Sequence, residues 1–217
     1  MKKQSTLCRY VFLFVLPLAS IVSAHAQTLK DVFTNSETPI FYFGIDFTKT
    51  KVIDDATANV NDIRDRQYDG VNDVVVNEPK KYDLKSAFHR SMDHDLGFAA
   101  KRNEKANAEE IKSSNTSDFH RFKEDDVKAI ISTWDFGGKK GIGLVFVCEA
   151  LSKSEKAAAI WVTLVDVSSK KVLMTERLEG KTSMAFGWRN YWATSFKNVI
   201  DMIEKKKYDE WKSKYGS

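Results

Sequence analysis

The chain has 217 residues, 42% hydrophobic and 29% charged, with 34 Lys+Arg against 30 Asp+Glu. Lys2, Lys3 and Arg9 precede an apolar run from Tyr10 to Val22, and without residues 1–26 the net charge is only +1. That near-balance argues against a polyanion-binding or nucleic-acid-binding protein, and no second apolar run approaches the ~20 residues needed to cross a bilayer.

Positive charge, a short apolar run and the small residues of Ala24-His25-Ala26 are the parts of a secretory signal peptide, with cleavage expected before Gln27. The expectation is an exported protein, periplasmic or secreted, whose mature part is a single domain over residues 27–217. Cys8 lies ahead of the apolar run, where a lipid-anchor cysteine does not sit. Cys148 is then the one cysteine left, so no intramolecular disulfide is expected. It ends the run Leu144-Val145-Phe146-Val147-Cys148 and reads as a buried structural thiol.

The first element of the mature chain is a core strand over residues 40–47, an aromatic and β-branched run introduced by Thr38-Pro39. Asp46 falls near its carboxyl end, where open α/β sheets place ligands; the competing reading is an aspartate that caps a turn. Residues 57–76 place Val60, Ile63, Val71, Val74 and Val75 at helical spacing, and Pro79 ends the pattern. A second helix is predicted through Tyr82, Leu84, Ala87, Phe88 and Met92, with Gly97 as its end. Residues 101–117 are strongly polar and read as a mobile loop or a solvated helix.

The second half predicts a meander. Strands are expected at Val127–Trp134, Ile142–Leu151, Ala159–Val167 and Lys171–Leu178, joined by short polar links, which implies antiparallel pairing. From Trp188 the period becomes helical: Trp192, Ser195, Phe196, Val199 and Ile203 fall at steps of three and four. Residues 205–217 then set Tyr208, Trp211 and Tyr215 among five lysines. This tail reads either as a surface for an anionic membrane or glycan, or as a continued helix whose lysine stems cover its aromatics. The overall expectation is an α/β (α+β-like) domain: a mainly antiparallel sheet of about five strands with helices packed on it.

Catalytic motifs are weak. His89, His94 and His120 are the histidines beyond the leader. His89 and His94 are five apart, so on a helix they diverge by about 140°, whereas a zinc pair prefers the i, i+4 spacing. Asp93 shares a face with His89 on such a helix, so a site from His89, Asp93, His94 and His120 is the candidate metal-dependent hydrolase centre. The turn Gly137-Gly138-Lys139-Lys140-Gly141-Ile142-Gly143 lacks the Ser or Thr of a phosphate loop and leads into a strand; it reads as a hairpin turn. No motif implies a cofactor.

The stretch from Trp161 to Leu173, with Asp166 closing one strand before the turn Ser168-Ser169-Lys170, resembles a hairpin of small envelope α/β domains of Gram-negative bacteria. These include the amino-terminal domain of TolB and the curli-secretion lipoproteins. The resemblance implies a non-enzymatic envelope role and transfers no site residues. The expected function is a soluble accessory or binding protein acting on another envelope protein through a protein–protein surface. The alternatives are the histidine-based hydrolase and a membrane or glycan binder using the tail.

Overall fold

The most apolar run of the sequence forms the axis of a mixed sheet. The computed structural model describes residues 28–217, so the leader assigned to residues 1–26 and its cleavage point before Gln27 lie outside the described residues. The strands are β1 (Ile40–Asp46), β2 (Lys51–Ile53), β3 (Met92–His94), β4 (Lys112–Ser113), β5 (Ile142–Ser152), β6 (Ala157–Asp166) and β7 (Lys171–Lys181). The α-helices are α1 (Leu29–Thr34), α2 (Val60–Asp62), α3 (Tyr68–Asn77), α4 (Leu84–Phe88), α5 (Gly97–Asn103), α6 (Ala108–Ile111), α7 (Glu124–Ser132), α8 (Trp188–Met202) and α9 (Tyr208–Tyr215). A 3-10 turn covers Thr116–His120.

Every residue of β5 is buried. Its first half, Ile142–Val147, pairs with β1, and Ala150–Ser152 pairs with β2, both parallel. β3 and β4 add to the outer edges of β1 and β2, again parallel. On its other side β5 pairs antiparallel with β6, and β6 with β7.

This topology corrects the expected mainly antiparallel sheet of about five strands. Among the described residues the sheet has seven strands, and the set β3-β1-β5-β2-β4 is wholly parallel, with β6 and β7 as the antiparallel addition. The physical reason has two parts. β2, β3 and β4 are two or three residues long, too short to show a period-2 pattern, and parallel neighbours need long crossovers that no local turn signal marks. The segment expected as a strand at Val127–Trp134 is instead mostly helix α7. Val127, Ile130 and Ile131 are buried at i, i+3 and i+4, and Glu124, Asp125 and Asp126 fill the first turn, where the helix dipole favours acids.

The helix expected through Tyr82–Met92 is also shorter. α4 stops at Phe88 because His89 takes a left-handed conformation, φ 54°, and Met92 joins strand β3. Gly97 starts α5 rather than ending a helix. Residues 101–117 contain the end of α5, then α6 and β4, and Asn103 within them is fully buried.

Two π turns, Ile63–Gln67 and Ile203–Lys207, join α2 to α3 and α8 to α9. Both follow one local pattern, Ile-x-x-x-x-Tyr-Asp, in which the Tyr N–H donates to the Ile carbonyl. Residues five apart on an α-helix diverge by about 140°; the wider turn brings both members of each pair to the core side. Ile63, Tyr68, Ile203 and Tyr208 are all buried.

Helices cover both faces of the sheet. α1, α3, α4, α8 and α9 pack over Tyr42, Ile45, Leu144 and Phe146 on one face. α5 and α7 pack over Phe43, Val145, Val147 and Trp161 on the other.

Candidate functional site

The four residues of the expected histidine centre do not meet. His89 is exposed at the left-handed end of α4, its ring 4.3 Å from that of Tyr208. Asp93 and His94 are exposed neighbours on edge strand β3, so their side chains point to opposite faces. His120 ends the 3-10 turn, with Nδ1 4.0 Å from a Glu179 carboxylate oxygen. Among the described residues no group of three or more His, Cys, Asp or Glu is placed to hold a metal ion. Cys148 is a buried free thiol whose pKa is pushed up by burial, with no thiolate character for nucleophilic chemistry.

Asp46 is 1% exposed and belongs to a closed network. Its Oδ1 accepts from the backbone N–H of Thr48 at 2.8 Å and from the Thr48 hydroxyl. Its Oδ2 accepts from the Trp134 indole N–H at 2.8 Å and from Arg102 Nε. Arg102 also stands over the Trp134 ring, 5.3 Å from its centroid, and donates through Nη2 to the Ile130 carbonyl. Four donors on two oxygens leave no lone pair directed at a substrate. The strand end that open α/β sheets use for ligands is therefore filled by the protein's own side chains.

A second carboxylate repeats the arrangement. Glu149 on β5 is fully buried and accepts from the Phe122 N–H at 2.7 Å, the Trp161 indole N–H at 3.0 Å and Arg177 Nε at 2.9 Å. Arg177 also pairs with Glu179 at 2.7 Å, and this guanidinium holds the Glu179 carboxyl below its ordinary range. A charged residue in the middle of an apolar strand is the signal that marks Glu149 in the sequence. The Asp46 group ties Arg102 of α5 and Trp134 after α7 to β1, and the Glu149 group joins β5, β6 and β7 and holds the segment before α7 through the Phe122 N–H and the Phe119 carbonyl; both are structural tasks.

The tail aromatics face inward. Tyr208 and Trp211 are buried, and Tyr215 is half-buried against Phe33, ring centroids 6.1 Å apart. The Tyr208 hydroxyl accepts from Arg90 Nη2 at 3.0 Å, and the Trp211 indole donates to Glu176. Lys207 meets Glu176 and Glu210 at 2.7 Å each, and its ammonium pKa is raised, first by the bond to Glu176. The tail is a docked helix: of the three aromatics expected at a binding surface, Tyr208 and Trp211 belong to the core and Tyr215 packs partly buried against it.

The surface feature that stands out is the connector from β7 to α8. Met184 is 100% exposed and Phe186 96% exposed. Their flanks are firmly held. The Thr182 N–H and hydroxyl donate to the Lys156 carbonyl at 2.9 and 3.0 Å, and the Ser183 N–H donates to the Thr194 hydroxyl at 2.8 Å. On the far side, Asn190 Nδ2 donates to the Phe186 carbonyl and the Tyr191 N–H to the Gly187 carbonyl, both at 3.0 Å. Gly187 takes φ 80°, a conformation that a side chain would strain. Arg66, Gln67 and Arg189 border a hollow of about 340 Å³ beside Phe186. Two large apolar residues in a segment without strand or helix period are the sequence signal for this loop.

Comparison with protein-family models, with curated proteins and with solved structures returns no match for this chain.

Proposed function

We propose that this is an exported, non-enzymatic accessory protein that binds another envelope protein through the Met184–Phe186 loop. The observation that carries the reading is the near-complete exposure of Met184 and Phe186 on a loop pinned at both ends. Exposed large apolar side chains in a contiguous patch mark interaction surfaces. Held flanks reduce the ordering cost of binding, so buried aromatic area converts more fully into affinity. Phe and Met are enriched at interface cores, and Arg189 at the base of the loop favours a partner pocket with an acidic rim. The compartment rests on the leader at residues 1–26 and on the likeness of the Trp161–Leu173 hairpin to envelope domains.

The test is the size of the native protein in a gentle extract of the producing cell, for wild type and for the Met184→Ser, Phe186→Ser double variant. The wild type is expected in a complex larger than the monomer and the variant as a monomer. A variant that keeps the same complex overturns the proposal.

A further inference from the structure

Beyond the closed network at Asp46, the short link from β1 to β2 borders a hollow of about 30 Å³. Lys49 of the link, Lys51 of β2, Asn107 and Glu110 from the start of α6 and its cap, and Arg121 after the 3-10 turn surround it. Two cations are fixed there by backbone carbonyls: Lys51 Nζ donates to that of Glu110, and Arg121 Nη2 to that of Lys49. Arg121 also stands over the Phe122 ring, 4.2 Å from its centroid. Of its other nitrogens only Nε is sealed from solvent, which leaves Nη1 free to donate outward.

The surroundings set the charge of what fits. Lys51 and Arg121 are partly buried and Lys49 is exposed, and among the described residues none of the three forms an ion pair. The nearby acids have other partners. Glu149 is taken by Phe122, Trp161 and Arg177, Asp118 accepts from the Ser113 hydroxyl at 2.6 Å, Asp126 from the Lys123 N–H at 2.7 Å, and Glu110 Oε1 from Asn107 Nδ2 at 3.1 Å. Burial lowers the Arg121 pKa from its ordinary value, and the attraction of Glu149, Asp118 and Asp126 does not make up for it. Cations drawn out of water are ordinarily paired, so this group favours an anion from outside the chain.

We infer that the hollow binds a terminal phosphate group, of inorganic phosphate or of a phosphate monoester, with its oxygens accepting from Arg121 Nη1 and Lys51 Nζ and with Lys49 at the mouth. A water-sized atom needs about 10–15 Å³ of such space, so one or two oxygens enter and the rest of the ligand stays outside. Three cations around one group suit a dianion better than a singly charged carboxylate, and Arg and Lys are the side chains that recognise phosphate. The place agrees with the chemistry, because open α/β sheets hold ligands beyond the carboxyl ends of their strands.

The experiment is an isotope-edited NMR titration of residues 27–217 with inorganic phosphate and with glycerol 3-phosphate, and with sodium chloride at matched ionic strength as the control. Saturable one-to-one binding is expected, with shifts centred on Lys49, Lys51 and Arg121 that chloride does not reproduce. Tighter binding of glycerol 3-phosphate identifies a monoester as the ligand class; equal or weaker binding identifies free phosphate. Arg121→Gln is expected to weaken phosphate binding about tenfold or more, the value of a hydrogen bond between charged groups. Lys51→Gln is expected to act in the same direction and decides the matter should Arg121→Gln not fold. Absence of saturable phosphate binding, equal shifts in chloride, or full affinity in either variant would overturn the inference.

Discussion

Asn72 and Asn103 converge on the backbone of Ile45. Asn72 Oδ1 accepts from the Ile45 N–H at 2.7 Å, and the Nδ2 groups of Asn72 and Asn103 donate to its carbonyl at 3.2 and 3.0 Å. Asn103 Oδ1 also takes the Phe47 N–H at 2.8 Å. β3 pairs with β1 only over Ile40–Tyr42, so the two amides stand in for a strand along the rest of that edge. Gly44 makes room: a Cβ there would lie 2.7 Å from Asn72 Oδ1 and 3.0 Å from the Ala99 Cβ.

Replacing Asn103 by Leu therefore leaves the Phe47 N–H unpaired in the interior. A loss of about 1–3 kcal/mol is expected, read as a lower denaturant midpoint. An unchanged midpoint would mean that water reaches this edge.

Asp46→Asn tests the closed network around the end of β1. The amide of Asn presents two hydrogens to a site that supplies only donors, so either the Arg102–Trp134 pair or Thr48 loses its acceptor. Breaking a buried, hydrogen-bonded charge pair costs about 3–5 kcal/mol, and equilibrium unfolding is expected to show a loss of that order. Trp134→Phe removes a single donor and is expected to cost less. Equal stability of Asp46→Asn and wild type would show that the carboxylate is spare, and so open to another role.

Acid sensitivity is expected at Glu179. Its ordinary value is near 4.5, and the Arg177 guanidinium lowers it in the folded chain. A folded-state pKa below the unfolded one means that the contribution is fully present above the ordinary value and is lost as pH falls through the folded value. The stability difference between wild type and Glu179→Gln should be constant above about pH 5 and shrink on acidification below it. A difference that persists unchanged at pH 3, or grows, would contradict the assignment.

The sequence makes the long elements legible and the short ones not. The spacing from Trp192 to Ile203 marks α8, and the apolar run at 142–151 marks β5, because each spans several periods of one pattern. β3 and β4 have no such length, so the parallel half of the sheet, and with it the fold class, was hidden. Asp46 was visible as a candidate by its place at a strand end. Its partners Arg102 and Trp134 were not, since they lie 56 and 88 residues away in the chain. The tail aromatics were ambiguous because their burial is decided by α1, through Phe33, and by Arg90, neither adjacent in sequence. The Met184–Phe186 loop escaped a reading organised by period, having none.

The proposed binding loop has a stability signature of its own. Met184→Ser and Phe186→Ser remove side chains that pack on nothing, so each variant should unfold within about 0.5 kcal/mol of wild type. A drop of about 2 kcal/mol or more, of the kind seen when packed apolar groups are cut away, would show that the loop folds back onto the domain in solution.

The most direct measurement places a photo-crosslinking amino acid at position 186 in the producing cell, with position 140, an exposed lysine of the turn before β5, as the control. A protein partner predicts one discrete polypeptide adduct from position 186 that the control lacks and that Met184→Ser diminishes. Adducts to lipid alone, or the same pattern from both positions, would contradict a protein-binding loop.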